Sequence, residues 1–96
     1  MSVEITSKSV IPHDVSLTLT GNPQQLVGRN DYRTHLQFQA PAGGLTYSYT
    51  NPNCAPGLTG CYTLSAGSTW GPSFGLPATA IYVNGTSGQF LPATEC

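Results

Sequence analysis

Carboxylates, imidazoles and thiols, which commonly perform acid–base and nucleophilic chemistry, are few in this 96-residue chain. They are Glu4, Asp14, Asp31, Glu95, His13, His35, Cys54, Cys61 and Cys96. Positions 34–94 contain no Asp, Glu, Lys or Arg, so a cysteine there has no charged sequence neighbour to activate it. We therefore expect no catalytic residue, no cofactor and no enzymatic activity. The alternative is an enzyme whose fold gathers the carboxylates around a histidine.

The cysteines could form one disulfide bond. Cys54 and Cys61 bracket a loop rich in Gly and Pro, whereas Cys96 is the last residue. A bond between Cys54 and Cys61 requires their Cα atoms to lie within about 7 Å. Zinc sites use four ligands in paired short spacings, and neither His13 nor His35 belongs to such a pattern. The sequence thus favours three reduced thiols, leaves a Cys54–Cys61 bridge open, and predicts no metal site.

The charge content excludes two classes of partner. Only 7% of the residues are charged, and the formal net charge is -1. Nucleic-acid binding depends on several clustered Lys and Arg, and binding to anionic membranes depends on a polybasic face. No run approaches the roughly 20 apolar residues of a membrane span. The first ten residues lack a cationic start followed by an apolar core, so we expect synthesis in a cytoplasm.

The elements that position these side chains are predicted to be strands. The 11 Gly and 8 Pro leave no stretch with a helical apolar stripe. Several segments instead alternate apolar and polar residues or are rich in β-branched and aromatic types. The predicted strands are 15–20, 25–27, 33–39, 45–50, 61–64, 79–83 and 89–91. Asn84-Gly85 predicts a hairpin turn after the strand 79–83.

This spacing indicates an all-β fold. We expect one small β-sandwich or jelly-roll-like barrel of six to eight short antiparallel strands over residues 15–96. Residues 1–14, including Pro12, are predicted to form an N-terminal arm that reaches a neighbouring subunit. In strand 33–39, Arg33 and His35 are expected to point outwards or towards a partner. The expected core residues are Val15, Leu17, Leu19, Leu36, Phe38, Leu45, Leu64, Ile81 and Val83.

Aromatic side chains are the best candidates for an interaction surface. Aromatic residues are enriched in the cores of protein interfaces, where charged residues are depleted. The candidates are Tyr47, Tyr49, Tyr82 and Trp70. Tyr47 and Tyr82 could equally cover the core, and Trp70 could equally close it as a lid. Exposed aromatic rings beside Asn and Gln would also suit a sugar-binding face.

Three segments resemble small virion proteins of tailed bacteriophages. Residues 30–39 resemble their opening strand, N-x-x-R-x-x-L-x-I-Q, and Leu64-Ser65-Ala66-Gly67 matches a following L-x-x-G turn. Residues 79–89 resemble their closing hairpin, A-I-Y-V-x-G-x-x-G-Q, with Glu95 near the end as in those proteins. The loop between Cys54 and Cys61 and the first 28 residues depart from this pattern.

The resemblance implies a small β-sandwich or jelly-roll accessory protein of the virion. Such a protein is made in the cytoplasm of the bacterial host. It would bind a capsid shell as a cement or decoration protein and stabilise it by bridging neighbouring subunits. Its partners would be the major capsid protein or other virion proteins, in a homo-oligomer or symmetric array. The alternative is a glycan- or receptor-binding module of a tail or head fibre.

Overall fold

The structure is a computed structural model that describes residues 11–71 and 75–96. In this part of the chain all regular structure is β, in nine short strands. They are β1 (His13–Asp14), β2 (Leu17–Thr18), β3 (Gln24–Val27), β4 (Leu36–Phe38), β5 (Leu45–Ser48), β6 (Cys61–Leu64), β7 (Ile81–Asn84), β8 (Phe90–Leu91) and β9 (Ala93–Glu95). The all-β expectation is therefore confirmed. Over the same residues, no helix has the length and apolarity to cross a membrane.

The strands form three antiparallel sheets. The largest has the order β3-β7-β5-β6, the second has the order β1-β9-β4, and the third consists of β2 and β8. In the largest sheet Tyr47 lies opposite both Tyr62 on β6 and Val83 on β7. Because opposite residues share a face, these three side chains lie on one side of the sheet.

The core lies where the largest sheet meets the other two. The ring of Phe38 on β4 packs edge-on against Tyr47 of β5, with centroids 6.0 Å apart. Six of the nine expected core residues are buried: Leu19, Leu36, Phe38, Leu45, Ile81 and Val83. The other three, Val15, Leu17 and Leu64, are partly buried and pack against them. The alternation of apolar residues thus predicted the inward faces correctly.

Two strands were missed, so the expected range of six to eight is corrected to nine. Pro92 separates β8 from β9. Its missing N–H breaks one ladder, and β9 then pairs with both β1 and β4. The strand β1 falls within the expected arm, so residues 13–14 belong to a sheet of the domain. Ile11 and Pro12 are exposed, and residues 1–10 of the arm lie outside the described residues.

The hairpin predicted at Asn84-Gly85 is not formed. β7 pairs with β3 and β5, whereas the next strand, β8, pairs with β2. The turn comes later: Gly88 has a φ of 86°, and the Gln89 N–H donates to the Thr86 carbonyl at 3.2 Å. Gly85 serves close packing, since a Cβ there would lie 2.7 Å from Cδ1 of Leu19.

Candidate interaction surface

Three tyrosines on the inner-facing side of β5 and β6 contact one another at the rim of the core. We call Tyr47, Tyr49 and Tyr62 the tyrosine cluster. The ring centroids are 5.7 Å apart for Tyr47 and Tyr49, 5.6 Å for Tyr47 and Tyr62, and 6.0 Å for Tyr49 and Tyr62. Tyr62 is 52% exposed, while the other two rings are partly buried. The cluster therefore presents aromatic and hydroxyl surface without any charge.

Two buried rings support the tyrosine cluster from the core side. Trp70 stacks on Phe38, with centroids 5.0 Å apart and ring planes inclined by 16°. The indole N–H of Trp70 donates to the Tyr49 hydroxyl at 3.1 Å. Aromatic pairs in such geometries contribute about 0.5–1.5 kcal/mol beyond the area they bury. This support helps to fix the position of Tyr49, and through it the cluster.

Burial also keeps Tyr47 uncharged. It raises the pKa of Tyr47 above its ordinary value of 10.0, and the neighbouring Tyr49 and Tyr62 raise it further. A phenol with a raised pKa stays protonated at neutral pH, so Tyr47 remains a neutral ring with a hydroxyl.

The other candidate interface residues lie elsewhere. Trp70 is only 4% exposed, so it occupies the core as a lid and reaches the surface only through Tyr49. Tyr82 lies opposite Gln25 and Ser48, on the face of the sheet away from the tyrosine cluster. Pro12 is exposed and precedes β1, in a different sheet. Of the predicted residues, only Tyr47 and Tyr49 share a surface, and Tyr62 completes it.

Arg33 is the main feature that sequence reasoning placed wrongly. Its side chain is buried rather than outward, because Nε lies 2.6 Å from Oε2 of Glu95. The guanidinium also donates to the carbonyls of Pro77 at 2.6 Å, Thr79 at 3.2 Å and Gly28 at 2.7 Å. A charge this buried needs such partners. The sequence signal was the resemblance, whose pattern has an Arg at the position of Arg33 and a Glu near the end.

The Glu95 carboxylate also contacts a histidine. Nε2 of His13 lies 3.3 Å from Oε1 of Glu95. Burial raises the pKa of Glu95, but the hydrogen bond and charge of Arg33, with hydrogen bonds from His13 and Asn30, outweigh it and leave this pKa below its ordinary value. The carboxylate is thus held ionised by a structural ion pair.

The other two described acids, Asp14 and Asp31, do not join this group. Asp14 accepts a hydrogen bond from the Ser16 N–H at 2.9 Å, and Asp31 pairs with Arg29 on the surface at 3.0 Å. Glu4 lies outside the described residues. Across residues 11–71 and 75–96, no three His, Cys, Asp or Glu side chains are grouped so as to hold a metal ion.

All three cysteines are free thiols, so the Cys54–Cys61 bridge that the sequence left open is not present. Cys54 is buried, and this burial, with the neighbouring Cys61, raises its pKa to about 11. Cys54 lies in the loop between β5 and β6, which two hydrogen bonds anchor to the sheet: the Asn84 side chain donates to the Cys54 carbonyl at 3.0 Å, and the Ser48 hydroxyl donates to the Gly60 carbonyl at 2.8 Å. A thiol with such a pKa is a poor nucleophile at neutral pH.

An open cavity of about 390 Å³ lies on the other face of β5 and β6. Its polar side chains are those of Thr46, Thr63, Asn84 and Thr86. Thr46 lies opposite Thr63 and Asn84, so these three form one row across the sheet. Because they alternate with the tyrosines along the strands, the hydroxyl-lined cavity and the tyrosine cluster face opposite ways.

Comparison with known proteins does not add a relative to this description. No protein family, curated protein or solved structure matches the chain.

Proposed function

We propose that this chain is a structural accessory protein of a bacteriophage particle, of the cement or decoration type, and that it binds the capsid shell through the tyrosine cluster. The observation that carries the proposal is the half-exposed Tyr62 in contact with Tyr47 and Tyr49, on a support of stacked core rings. Exposed aromatic anchors on a rigid base are typical of interface hot spots. Rigid anchors also lose little conformational freedom on binding.

The resemblance to phage virion proteins supports the same proposal. Its pattern fixes an Arg in the opening strand and a Glu near the end, and here these are the buried partners Arg33 and Glu95. A match at residues that form a buried ion pair supports the resemblance more strongly than a match at turn residues, which many unrelated β-proteins share. We propose, on the same basis, that the sheets pack as a small β-sandwich, with the largest sheet as one layer and the other two sheets as the second layer.

The charge content suits a repeated contact on a shell. Positions 34–94 carry no charged residue, so such a contact depends on aromatic burial and hydroxyl hydrogen bonds. Many equivalent weak contacts on a symmetric shell give high occupancy through multivalency. We expect binding to change little between about 0.05 and 0.5 M salt, because screening acts on charges.

The glycan-binding alternative has one observation in its favour, the cavity lined by Thr46, Thr63 and Asn84. Sugar recognition commonly combines such polar groups with a ring that stacks on the sugar. Here the tyrosine cluster lies on the opposite face of the sheet from the cavity, so one sugar cannot contact both. A glycan array with the isolated chain tests this alternative directly.

The main proposal is tested on phage particles. Phage particles from the organism or phage that carries the gene are purified by density gradient. Mass spectrometry should find many copies of the chain in each particle, as expected for a component of the shell. Purified chain should bind particles stripped of it, and Tyr62→Ser should weaken that binding at least about tenfold. Tyr82→Ser, on the opposite face, is the matched control and should bind normally. Absence of the chain from purified particles would overturn the proposal.

A further inference from the structure

The outer edge of β6 is an unpaired sheet edge. β6 is the last strand of the largest sheet and pairs only with β5, within the residues that the structure describes. An open edge presents unpaired backbone N–H and C=O groups that another strand can bind. Natural proteins therefore block such edges with bulges, charges, proline or a covering segment.

The other long edges of this fold are blocked in these ways. At the opposite end of the largest sheet, the register of β3 shifts between Gln25 and Val27. In the three-stranded sheet, β1 is only two residues long and contains Asp14. The outer edge of β4 is covered, because the backbone N–H of Trp70 donates to the Phe38 carbonyl at 2.8 Å.

Among residues 11–71 and 75–96, β6 has none of these protections. It pairs with β5 in regular register over four residues, Cys61 to Leu64, without a bulge, a charge or a proline. The two middle residues, Tyr62 and Thr63, are exposed. Its residue types favour extended structure. Of the described sheet edges, β6 is therefore the one best suited to accept another strand.

The direction of the backbone fixes which groups are available. The Cys61 N–H donates to the Leu58 carbonyl at 3.1 Å in the preceding turn, so it points away from β5. Backbone groups alternate in direction along an antiparallel strand. The N–H and C=O of Thr63 therefore also point outwards, and Thr63 is the centre of the open edge.

We infer that β6 pairs with β6 of a second copy of this chain, antiparallel, about a two-fold axis at Thr63. In each copy the Thr63 N–H donates to the Thr63 carbonyl of the other. The same register places Tyr62 of one copy opposite Leu64 of the other, and the two four-stranded sheets become one sheet of eight strands. This pairing goes beyond the proposed function, since it defines a contact between copies rather than a contact with the shell.

A second copy is the occupant because the edge is complementary to itself. A two-fold contact brings each group against its own symmetry mate, so any charge at its centre would face a like charge. β6 has no charge, and the nearest charged residues in the sequence are Arg33 and Glu95. The central pair, threonine with threonine, is a favourable cross-strand pair, and no like charges are opposed.

Sedimentation velocity under reducing conditions tests the pairing, because a reductant excludes a Cys61–Cys61 bond between copies. The native chain should approach twice its monomer mass as concentration rises. Thr63→Pro should remain monomeric, since it removes the outward N–H. Proline is tolerated at a strand position whose N–H faces solvent, so circular dichroism should show the native fold. Thr63→Val keeps the N–H and the branched shape and should dimerise normally.

A charge swap tests the register without removing any backbone group. Thr63→Lys and Thr63→Glu should each weaken self-association at least about tenfold, because two like charges would be directly opposed. An equimolar mixture of the two variants should form a heterodimer. A native chain that stays monomeric at all concentrations, or a mixture that does not associate, would overturn the inference. The Thr63 side chain lies on the face away from Tyr62, so failure here leaves the particle-binding test of Tyr62→Ser unaffected.

Discussion

The Arg33 guanidinium links two sheets of the fold and is paired with Glu95, with Nε 2.6 Å from Oε2 of that carboxylate. Glu95 is the last residue of β9, whereas the three carbonyls that the same guanidinium binds follow β3 or precede β7. One buried side chain thus ties the central strand of the three-stranded sheet to two strands of the four-stranded sheet. The ion pair therefore holds the sheets in their relative positions.

Removal of this guanidinium should destabilise the protein strongly. Arg33→Met leaves the Glu95 carboxylate buried without its main partner, which costs about 3–5 kcal/mol of unfolding free energy. The matched control is Arg29→Met, because Arg29 pairs with Asp31 on the surface, where both side chains are more than half exposed. An exposed pair contributes less than about 1 kcal/mol. Urea unfolding measures both, and equal losses would contradict the role given to Arg33.

The stability should depend on pH through Glu95. Its pKa in the folded state lies below the ordinary 4.5, so the stabilisation is present above pH 4.5 and is lost as the pH falls through the folded value. Glu95→Gln should flatten the fall in unfolding free energy at acidic pH. Some slope should remain, because hydrogen bonds from Ser16 also lower the pKa of Asp14. An unchanged slope in Glu95→Gln would show that other carboxyls account for the acid sensitivity.

The hydrogen bond between Trp70 and Tyr49 should be visible in tryptophan fluorescence, since the chain has one Trp. Tyr49→Phe removes the hydroxyl that accepts the indole N–H at 3.1 Å. We expect a blue shift of the tryptophan emission. We also expect the unfolding free energy to fall by about 1–3 kcal/mol, the cost of a buried donor left unpaired. Tyr82→Phe on the opposite face is the control. Identical spectra for Tyr49→Phe and the native chain would disprove this contact.

The three thiols should differ in their reactivity. Cys54 is buried with a pKa raised to about 11, whereas Cys61 and Cys96 are partly exposed. Iodoacetamide at mildly alkaline pH should label Cys61 and Cys96 in the folded chain, and Cys54 only after unfolding. Mass spectrometry of the peptides measures this order. Labelling of Cys96 alone, before and after unfolding without reductant, would instead indicate a Cys54–Cys61 disulfide bond.

Gly85 should not tolerate a side chain. Gly85→Ala places a Cβ 2.7 Å from Cδ1 of Leu19, a buried core residue, so the side chains or backbone must shift. Such overpacking typically costs about 1–3 kcal/mol. Gly71→Ala is the matched control, because the space around that position is open. Thermal unfolding compares the two, and an equal midpoint would show that Leu19 can move aside at no cost.

The inward faces of the strands could be predicted from the sequence, because alternation is a local property of an extended chain. Leu36 and Phe38 lie two residues apart on β4 and both are buried, as their spacing indicates. The candidate surface was predicted in part, since Tyr47 and Tyr49 share a face by the same rule. The contribution of Tyr62 depends on the pairing of β5 with β6, which no local pattern specifies.

The sequence by itself determined that this protein is all-β, nearly uncharged and built around a core of alternating apolar residues, because composition and period act locally. Only the tertiary structure decided that β7 pairs with β5 rather than β8, that Arg33 is buried beside Glu95, and that Tyr82 faces away from the other tyrosines. Each of these facts joins residues far apart in the chain. Such contacts depend on which strands meet in the folded core, and this depends on the packing of the whole chain rather than on any one segment.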